Sequence, residues 1–309
     1  MKIIVIGDVM LDVYKHVEVK RLSPEAPVPC GEIVRTEERL GGAANVAHNI
    51  KVLCPEAEVG LVGAVGMDYA SGVMFRKLDR AGVVDYLVRD EVFHTVTKTR
   101  YVDLSGHHLL RIDDDSSWRN GHPSNTPFTW SEETLASVAD ADLIVISDYA
   151  KGTVPPIELA LNQPLFVNCK PGDVDHYLQR QVDCLVLNEA EALAYDTTKI
   201  VGGFKPDWEV AARCMSKFAS NVVVTRGSKG LFWFKQRLDN ATCEPDIHEV
   251  PAVPVLVSDV CGAGDTLLAS LAVSYARSGV LTYESMERAV QDAANVVNQL
   301  GTSVPRKQK

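Results

Sequence analysis

The chain has 309 residues, 46% of them hydrophobic and 23% charged, a globular composition that excludes a dominant disordered tract and supplies a sizeable core. Its formal net charge of -10 excludes a broadly basic, nucleic-acid-binding surface. The opening MKIIVIGDVM is too short an apolar run for a signal peptide, and no later segment reaches about 18 uninterrupted apolar residues. No membrane association is expected, and the expected compartment is the cytoplasm.

In chain order, short apolar, β-branched runs predict strands at Lys2 to Gly7, Val59 to Val65, Leu143 to Ser147, Leu165 to Val167, Cys184 to Leu187 and Val222 to Thr225. Helical patterns fall at Ala43 to Leu53, Gly72 to Ala81, Glu209 to Phe218, Ala263 to Ser278 and Ser285 to Leu300. This alternation predicts an α/β fold with a doubly wound, mainly parallel sheet flanked by helices. Two stretches, Leu11 to Arg39 and Thr95 to Asp113, alternate without a helix of their own and read as antiparallel strands outside the main sheet. A small β-sheet lid built from segments about 11–39 and 95–113 would cover the carboxyl ends of the parallel strands. Asp114 to Trp130 reads as a polar surface loop. The whole chain, 1–309, is expected to form one domain. The seven cysteines show no C-x-x-C spacing, so neither a zinc site nor a disulfide framework is indicated.

Two glycine-containing constellations carry the chemistry. Val257 to Ser270 reads VSDVCGAGDTLLAS, in which Gly262-Ala263-Gly264-Asp265 opens a long helical pattern. The first amides of a helix lack internal partners and lie at the positive end of its dipole, so those of Ala263, Gly264 and Asp265 suit phosphate oxygens. A carboxylate at Asp265 can then accept the proton of a substrate hydroxyl beside that anion, although an Asp in a first turn also simply complements the dipole. The second constellation is Gly41-Gly42-Ala43-Ala44-Asn45, where paired glycines admit a ligand and Asn45 can donate to and accept from a sugar hydroxyl; taken alone it also reads as a tight turn. Asp8 and Asp12 follow the first strand, where sugar hydroxyls or turn amides would satisfy them.

Together these residues resemble the ribokinase-like, or phosphofructokinase-B-type, carbohydrate kinases. Their two signatures are an early Gly-Gly-x-x-Asn, here Gly41 to Asn45, and a late Asp-x-x-Gly-Ala-Gly-Asp, here Asp259 to Asp265. The supporting Asn188-x-x-Glu191 and Thr225-Arg226-Gly227 lie between them, and the resemblance covers nearly the whole chain. Within the family the closer resemblance is to the heptose 7-phosphate kinases, through GDVMLDVY from Gly7, RLSPEAPVP from Arg21, TKTRY from Thr97, LLRID from Leu109 and SDYAKGT from Ser147.

The resemblance implies an ATP-dependent transfer to C1 of D-glycero-D-manno-heptose 7-phosphate, on the way to ADP-heptose and lipopolysaccharide. By position it makes Asp265 the catalytic base, with Gly262, Ala263 and Gly264 around the transferred phosphoryl group. It assigns the sugar to Asp8, Asp12, Gly41, Gly42 and Asn45, with Arg111, Lys151 and Lys170 as cations for phosphate. Asn188, Glu191, Thr225, Arg226, Gly227 and Asn295 are implied on the nucleotide side, and Asn188 and Glu191 near Mg²⁺ through water. A monovalent cation is left open, and adenylylation is expected of a separate nucleotidylyltransferase; independently of the resemblance, an exposed lid sheet invites pairing through its edge strands, so a homodimer is expected. The sequence departs from the pattern at Asn168-Cys169-Lys170-Pro171, Leu187 and Cys261. The alternatives are a kinase for another sugar or nucleoside, and a non-catalytic sugar- or nucleotide-binding regulator. An oxidoreductase lacks its motif, since no G-x-G-x-x-G follows a strand.

Overall fold

The computed structural model describes residues 1–115, 129–154, 162–195, 207–237, 244–299 and 301–305. The first strand, β1 (Lys2–Gly7), shows why the main sheet forms. Ile3 and Val5 lie in one apolar cluster and Ile4 and Ile6 in another, all four fully buried. A strand that buries both faces needs helices on both sides. At roughly 1.5–3 kcal/mol per buried aliphatic side chain, such strands outweigh their weak local preferences.

The remaining strands of this sheet are β4 (Glu58–Gly66), β5 (Val84–Asp90), β8 (Leu143–Ser147), β9 (Leu165–Asn168), β10 (Cys184–Asn188), β11 (Asn221–Thr225), β12 (Leu231–Lys235) and β13 (Asp246–Val250). Their order is β13-β12-β11-β10-β9-β8-β1-β4-β5. All pairings are parallel except β11 with β12 and β12 with β13. One face carries α1 (Ala43–Leu53), α2 (Tyr69–Ala81), α7 (Ala263–Ser278) and α8 (Tyr283–Val297). The other carries α3 (Glu132–Ala139), α4 (Val174–Tyr177) and α6 (Trp208–Met215); the short α5 (Glu189–Leu193) follows β10.

The second sheet has the order β3-β2-β6-β7, from β2 (Val9–Leu22), β3 (Pro29–Gly42), β6 (Val96–Val102) and β7 (His108–Asp114). It corrects the expectation of antiparallel strands throughout, because β2 and β6 pair in parallel. Both leave the carboxyl edge of the main sheet, β2 directly after β1 and β6 after β5, so they run outward in the same direction. Strands β5, β12 and β13 were not anticipated either: β5 and β13 are too polar to read as buried runs. The expected surface loop at 114–130 also changes at its ends, since Asp114 belongs to β7 while Asp115 and Trp130 are buried; positions 116–128 lie outside the described residues. Among the described residues no helix is long and apolar enough to cross a membrane.

The carboxyl ends of β1 and β8 sit so close that Gly7 is obligatory. A Cβ there would stand 2.1 Å from the Ser147 carbonyl oxygen and 2.9 Å from the Ala43 Cβ. Gly7→Ala is expected to lower stability by at least about 2 kcal/mol, since neither backbone can yield without parting the strands. A thermal melt unchanged from wild type would contradict this packing.

Candidate active site

Asp265 lies in the first turn of α7 and is only 7% exposed. Asn45 Nδ2 donates to its Oδ2 at 2.8 Å, and the Tyr149 hydroxyl donates to its Oδ1 at 2.8 Å. Burial raises its pKa to about 6, and these two hydrogen bonds hold it from rising further. At neutral pH the group is therefore ionised yet still able to take a proton, as a general base requires.

The Asn45 amide is held in turn. Its Oδ1 accepts from Asn49 Nδ2 at 3.1 Å, and Asn49 Oδ1 accepts from the Thr266 hydroxyl at 2.9 Å. This chain of side chains ties the first turns of α1 and α7 together and aims the carboxylate. Gly42, with φ of 57°, starts α1, and a Cβ at Gly41 would meet Asp12 Oδ2 at 2.6 Å. The early glycines thus let Asp12 and α1 approach one another.

The sugar-side assignments divide. Asp12 is buried on β2 and pairs with Arg100 of β6, Nη1 to Oδ1 at 2.5 Å. Burial opposes the charge of Arg100, but the Asp12 carboxylate holds its pKa above the ordinary arginine value. Asp8 is fully buried and its oxygens are taken up by protein: it accepts from the amides of Tyr149 at 2.7 Å, Lys151 at 3.0 Å and Thr153 at 3.2 Å, and from the Thr153 hydroxyl at 2.5 Å. A carboxylate with four protein donors and no exposed surface shapes the loop after β8. That loop includes Ala150 at φ 56° and delivers Tyr149 to Asp265.

The three cations expected at a substrate phosphate are all engaged elsewhere. Arg111 sits on exposed β7 in a two-bond pair with Asp113, at 2.6 and 2.5 Å; Lys151 pairs with buried Asp115 at 2.5 Å; Lys170 pairs with Glu191 at 2.7 Å. Lys170 Nζ also lies 5.3 Å from the ring centre of Tyr149, which bonds the base. Two residues at the site were missed, Lys98 and Tyr149. Lys98 Nζ lies 5.0 Å from the same ring centre, and burial lowers its pKa against the pull of Asp12. The signal was available: alternation along β6 puts Lys98 and Arg100 on one face, opposite Asp12 and Tyr14.

Beside the first turn of α7 opens a cavity of about 380 Å³, lined by Thr225, Gly227, Ala252, Val253, Ala263, Gly264, Leu267 and Ala294 among others. The Gly264 and Asp265 amides have no described protein acceptor, as expected of helix starts. The mostly apolar wall suits a flat base, and the amides suit the phosphates that follow it. Arg226 reaches Glu189 at 3.4 Å and stacks on Trp208 and Phe232. Asn295, on α8, bonds with Gln291 and Gln299 and is not on the cavity wall.

Asn188 and Glu191 form a reciprocal cap on α5, each backbone amide donating to the other's side chain. With these oxygens already hydrogen-bonded, the pair suits a Mg²⁺ that keeps its waters rather than direct coordination; among the described residues no cluster of three or more His, Cys, Asp or Glu forms a cage. The departures leave the frame intact. Asn168 Nδ2 donates to the Val186 carbonyl at 2.8 Å, and Pro171 opens a tight turn after Lys170. Asp259 accepts from the amides of Cys261 at 2.9 Å and Gly301 at 3.0 Å, pinning the loop before α7.

The profile of the pfkB family carbohydrate kinases matches residues 1–309. The chain belongs to that family. It is 36% identical to a D-beta-D-heptose 7-phosphate kinase of Bordetella bronchiseptica, covering 98% of this chain and 93% of that protein. It is 34% identical to the bifunctional protein HldE of Alcanivorax borkumensis over 98% of this chain, but spans only 61% of that protein. Among solved structures the fold matches ribokinases from Thermotoga maritima, with a TM-score of 0.70 at 19% identity over 97% and 94% of the two chains, and from Arabidopsis thaliana, 0.69 at 21% over 99% and 96%. As a carbohydrate kinase of this family, the chain takes ATP and a sugar acceptor. The ribokinase fold and the phosphotransferase class expected from the motifs are borne out.

The two glycines beside the base have different jobs. Gly262 has φ of 82° and a Cβ there would meet Asn45 Nδ2 at 2.9 Å, whereas a Cβ on Gly264 meets nothing within 4 Å and would protrude toward the cavity. Gly262→Ala is expected to lower stability by about 1–2 kcal/mol through its left-handed backbone. Gly264→Ala should leave the melting temperature within a few degrees and reduce kcat/KM for ATP at least about tenfold, by obstructing phosphate approach to the amides. Unchanged turnover in Gly264→Ala would move the phosphates away from α7.

Proposed function

We propose that the chain transfers the γ-phosphoryl group of ATP to the C1 hydroxyl of D-glycero-D-manno-heptose 7-phosphate, giving the 1,7-bisphosphate and ADP. The observation that carries the kinase chemistry is the buried Asp265, aimed by Asn45 and Tyr149 at the start of α7 and beside the apolar cavity. The choice of sugar is supported by the names of the relatives and by the segments shared with heptose 7-phosphate kinases.

In this reading the sugar lies between the second sheet and the first turns of α1 and α7, against Asp12, Gly41 and Asn45. Asp265 accepts the proton of the C1 hydroxyl as its oxygen attacks the γ-phosphorus, and the amides of α7 stabilise charge on the transferring group. Lys98 and Lys170, both against the Tyr149 ring, add positive potential. Mg²⁺, held through water near Asn188 and Glu191, would neutralise charge on the ATP phosphates. The second sheet acts as a lid that excludes water while the transfer occurs.

The lid also supports a homodimer. Val19, Leu22, Ile33, Val34, Leu110 and Ile112 of the small sheet are all about half exposed, an apolar surface that a second copy would cover. The reaction belongs in the cytoplasm, where ATP is supplied, and its product is what an adenylylating nucleotidylyltransferase would take.

Asp265→Asn is expected to lower kcat by at least about a hundredfold with ATP affinity unchanged, because the amide keeps the shape and cannot take the proton. The sign of the pH dependence follows from the raised pKa: kcat/KM should fall about tenfold per pH unit below about 6 and be level above it. A profile that is flat down to pH 5 would remove Asp265 as the base. ADP release measured with heptose 7-phosphate, free heptose and other sugar phosphates tests the acceptor. Equal kcat/KM for the first two would discard the heptose phosphate while leaving the sugar-kinase assignment standing.

A further inference from the structure

Outside the nucleotide cavity, a groove of about 510 Å³ lies on the flank where α1, α2, the end of β3, Gln299 and residues 302–305 meet. In a chain with a net charge of -10, its wall gathers Arg39, His48, Lys77 and Arg80 against a single carboxylate, Glu38. Glu38 is engaged by the Tyr69 hydroxyl. Arg39 is also occupied, bonding Glu37 at 2.6 Å and the Thr302 carbonyl at 3.1 Å. Lys77 and Arg80 make no ion pair among the described residues. Interaction with the α2 dipole accounts for one basic residue in its last turn, but not for the convergence of Lys77 and Arg80 with His48 from a different helix.

A second observation points the same way. Thr302, on the groove wall, is 7% exposed, and its buried hydroxyl has no hydrogen-bond partner among the described residues. A polar atom left so costs about 1–3 kcal/mol, which a ligand oxygen can relieve. The groove also touches the catalytic machinery, because Asn45 lines it while donating to Asp265.

We propose that this groove is a binding site for a phosphate monoester, with Lys77 and Arg80 as its charged ligands and His48 and the Thr302 hydroxyl as hydrogen-bond partners. Compact cations with spare donors are what a phosphate dianion takes, at roughly twice the strength of neutral hydrogen bonds. Burial and the Lys77 charge hold the His48 pKa below its ordinary value, and an anion seated between them would reverse that effect. The site stands whichever sugar is the acceptor. Its phosphate can come from the acceptor itself, reaching past Asn45, or from a separate phosphorylated compound.

The test is a titration of inorganic phosphate into the full chain with MgADP saturating, followed by the ring resonances of His48, assigned by their loss in His48→Gln. Phosphate should shift those resonances and raise the imidazole titration midpoint. In Lys77→Ala/Arg80→Ala the affinity read from them should fall at least about tenfold. Lys77→Gln/Arg80→Gln, which keeps most of the aliphatic stems, should lose it equally, with MgATP affinity unchanged as the control for folding. His48 resonances unmoved by tens of millimolar phosphate, or moved in both variants with the affinity of the unsubstituted chain, would overturn the proposal. The source is read from steady-state kinetics of the same variants: a KM for the phosphorylated sugar raised about tenfold at constant kcat identifies the acceptor's phosphate, and an unchanged KM with phosphate binding lost identifies a separate compound.

Discussion

The structure turns on one buried negative charge. Asp265 occupies the first turn of α7 with almost no contact with solvent, where an unaided carboxylate would take up a proton well above its ordinary pKa. Two neutral donors, an amide from α1 and a phenol from the loop after β8, moderate that rise without neutralising the charge. A cation in direct contact would instead have made the carboxylate a poor base. Lys98 and Lys170 lie against the Tyr149 ring, and among the described residues no cation forms an ion pair with the carboxylate.

Holding those donors in place takes a second buried carboxylate. Asp8 collects three backbone amides and a hydroxyl from residues 149–153 and so fixes the loop that carries Tyr149. Burial pushes the Asp8 pKa up, and the donated hydrogen bonds oppose that. The two carboxylates therefore have distinct work although both sit at the carboxyl edge of one sheet. Asp8 is saturated by protein, and Asp265 keeps lone pairs and a neighbouring cavity for ligands.

Charge is otherwise disposed in pairs around the cleft: Asp12 with Arg100, Asp115 with Lys151, Glu191 with Lys170 and Asp113 with Arg111. Pairing of this kind keeps a crowded, partly desolvated cleft from accumulating net charge. It also means that a residue type near a cleft says little about its task until its partner is known. Lys151 and Arg111 show this, because each is spoken for by a carboxylate close by in the fold.

The sequence by itself determined the six parallel strands at the centre of the sheet, most of its helices and the two turns of catalytic geometry, because each rests on local pattern. Short apolar runs specify strands buried on both faces, and Gly42 and Gly262, both at positive φ, specify backbone that other residues rarely follow. Only the tertiary structure decided which polar groups meet: Tyr149 with Asp265 across 116 positions, Asn45 with Asp265 across 220, and Asp8 with a loop more than 140 residues away. It likewise decided that β2 and β6 run side by side in the same direction. The reason is physical. A strand or helix is signalled by the period of its own side chains, whereas a hydrogen-bond partner is set by the order in which parallel strands are laid down, and that order places the ends of β1, β8 and the start of α7 at one point.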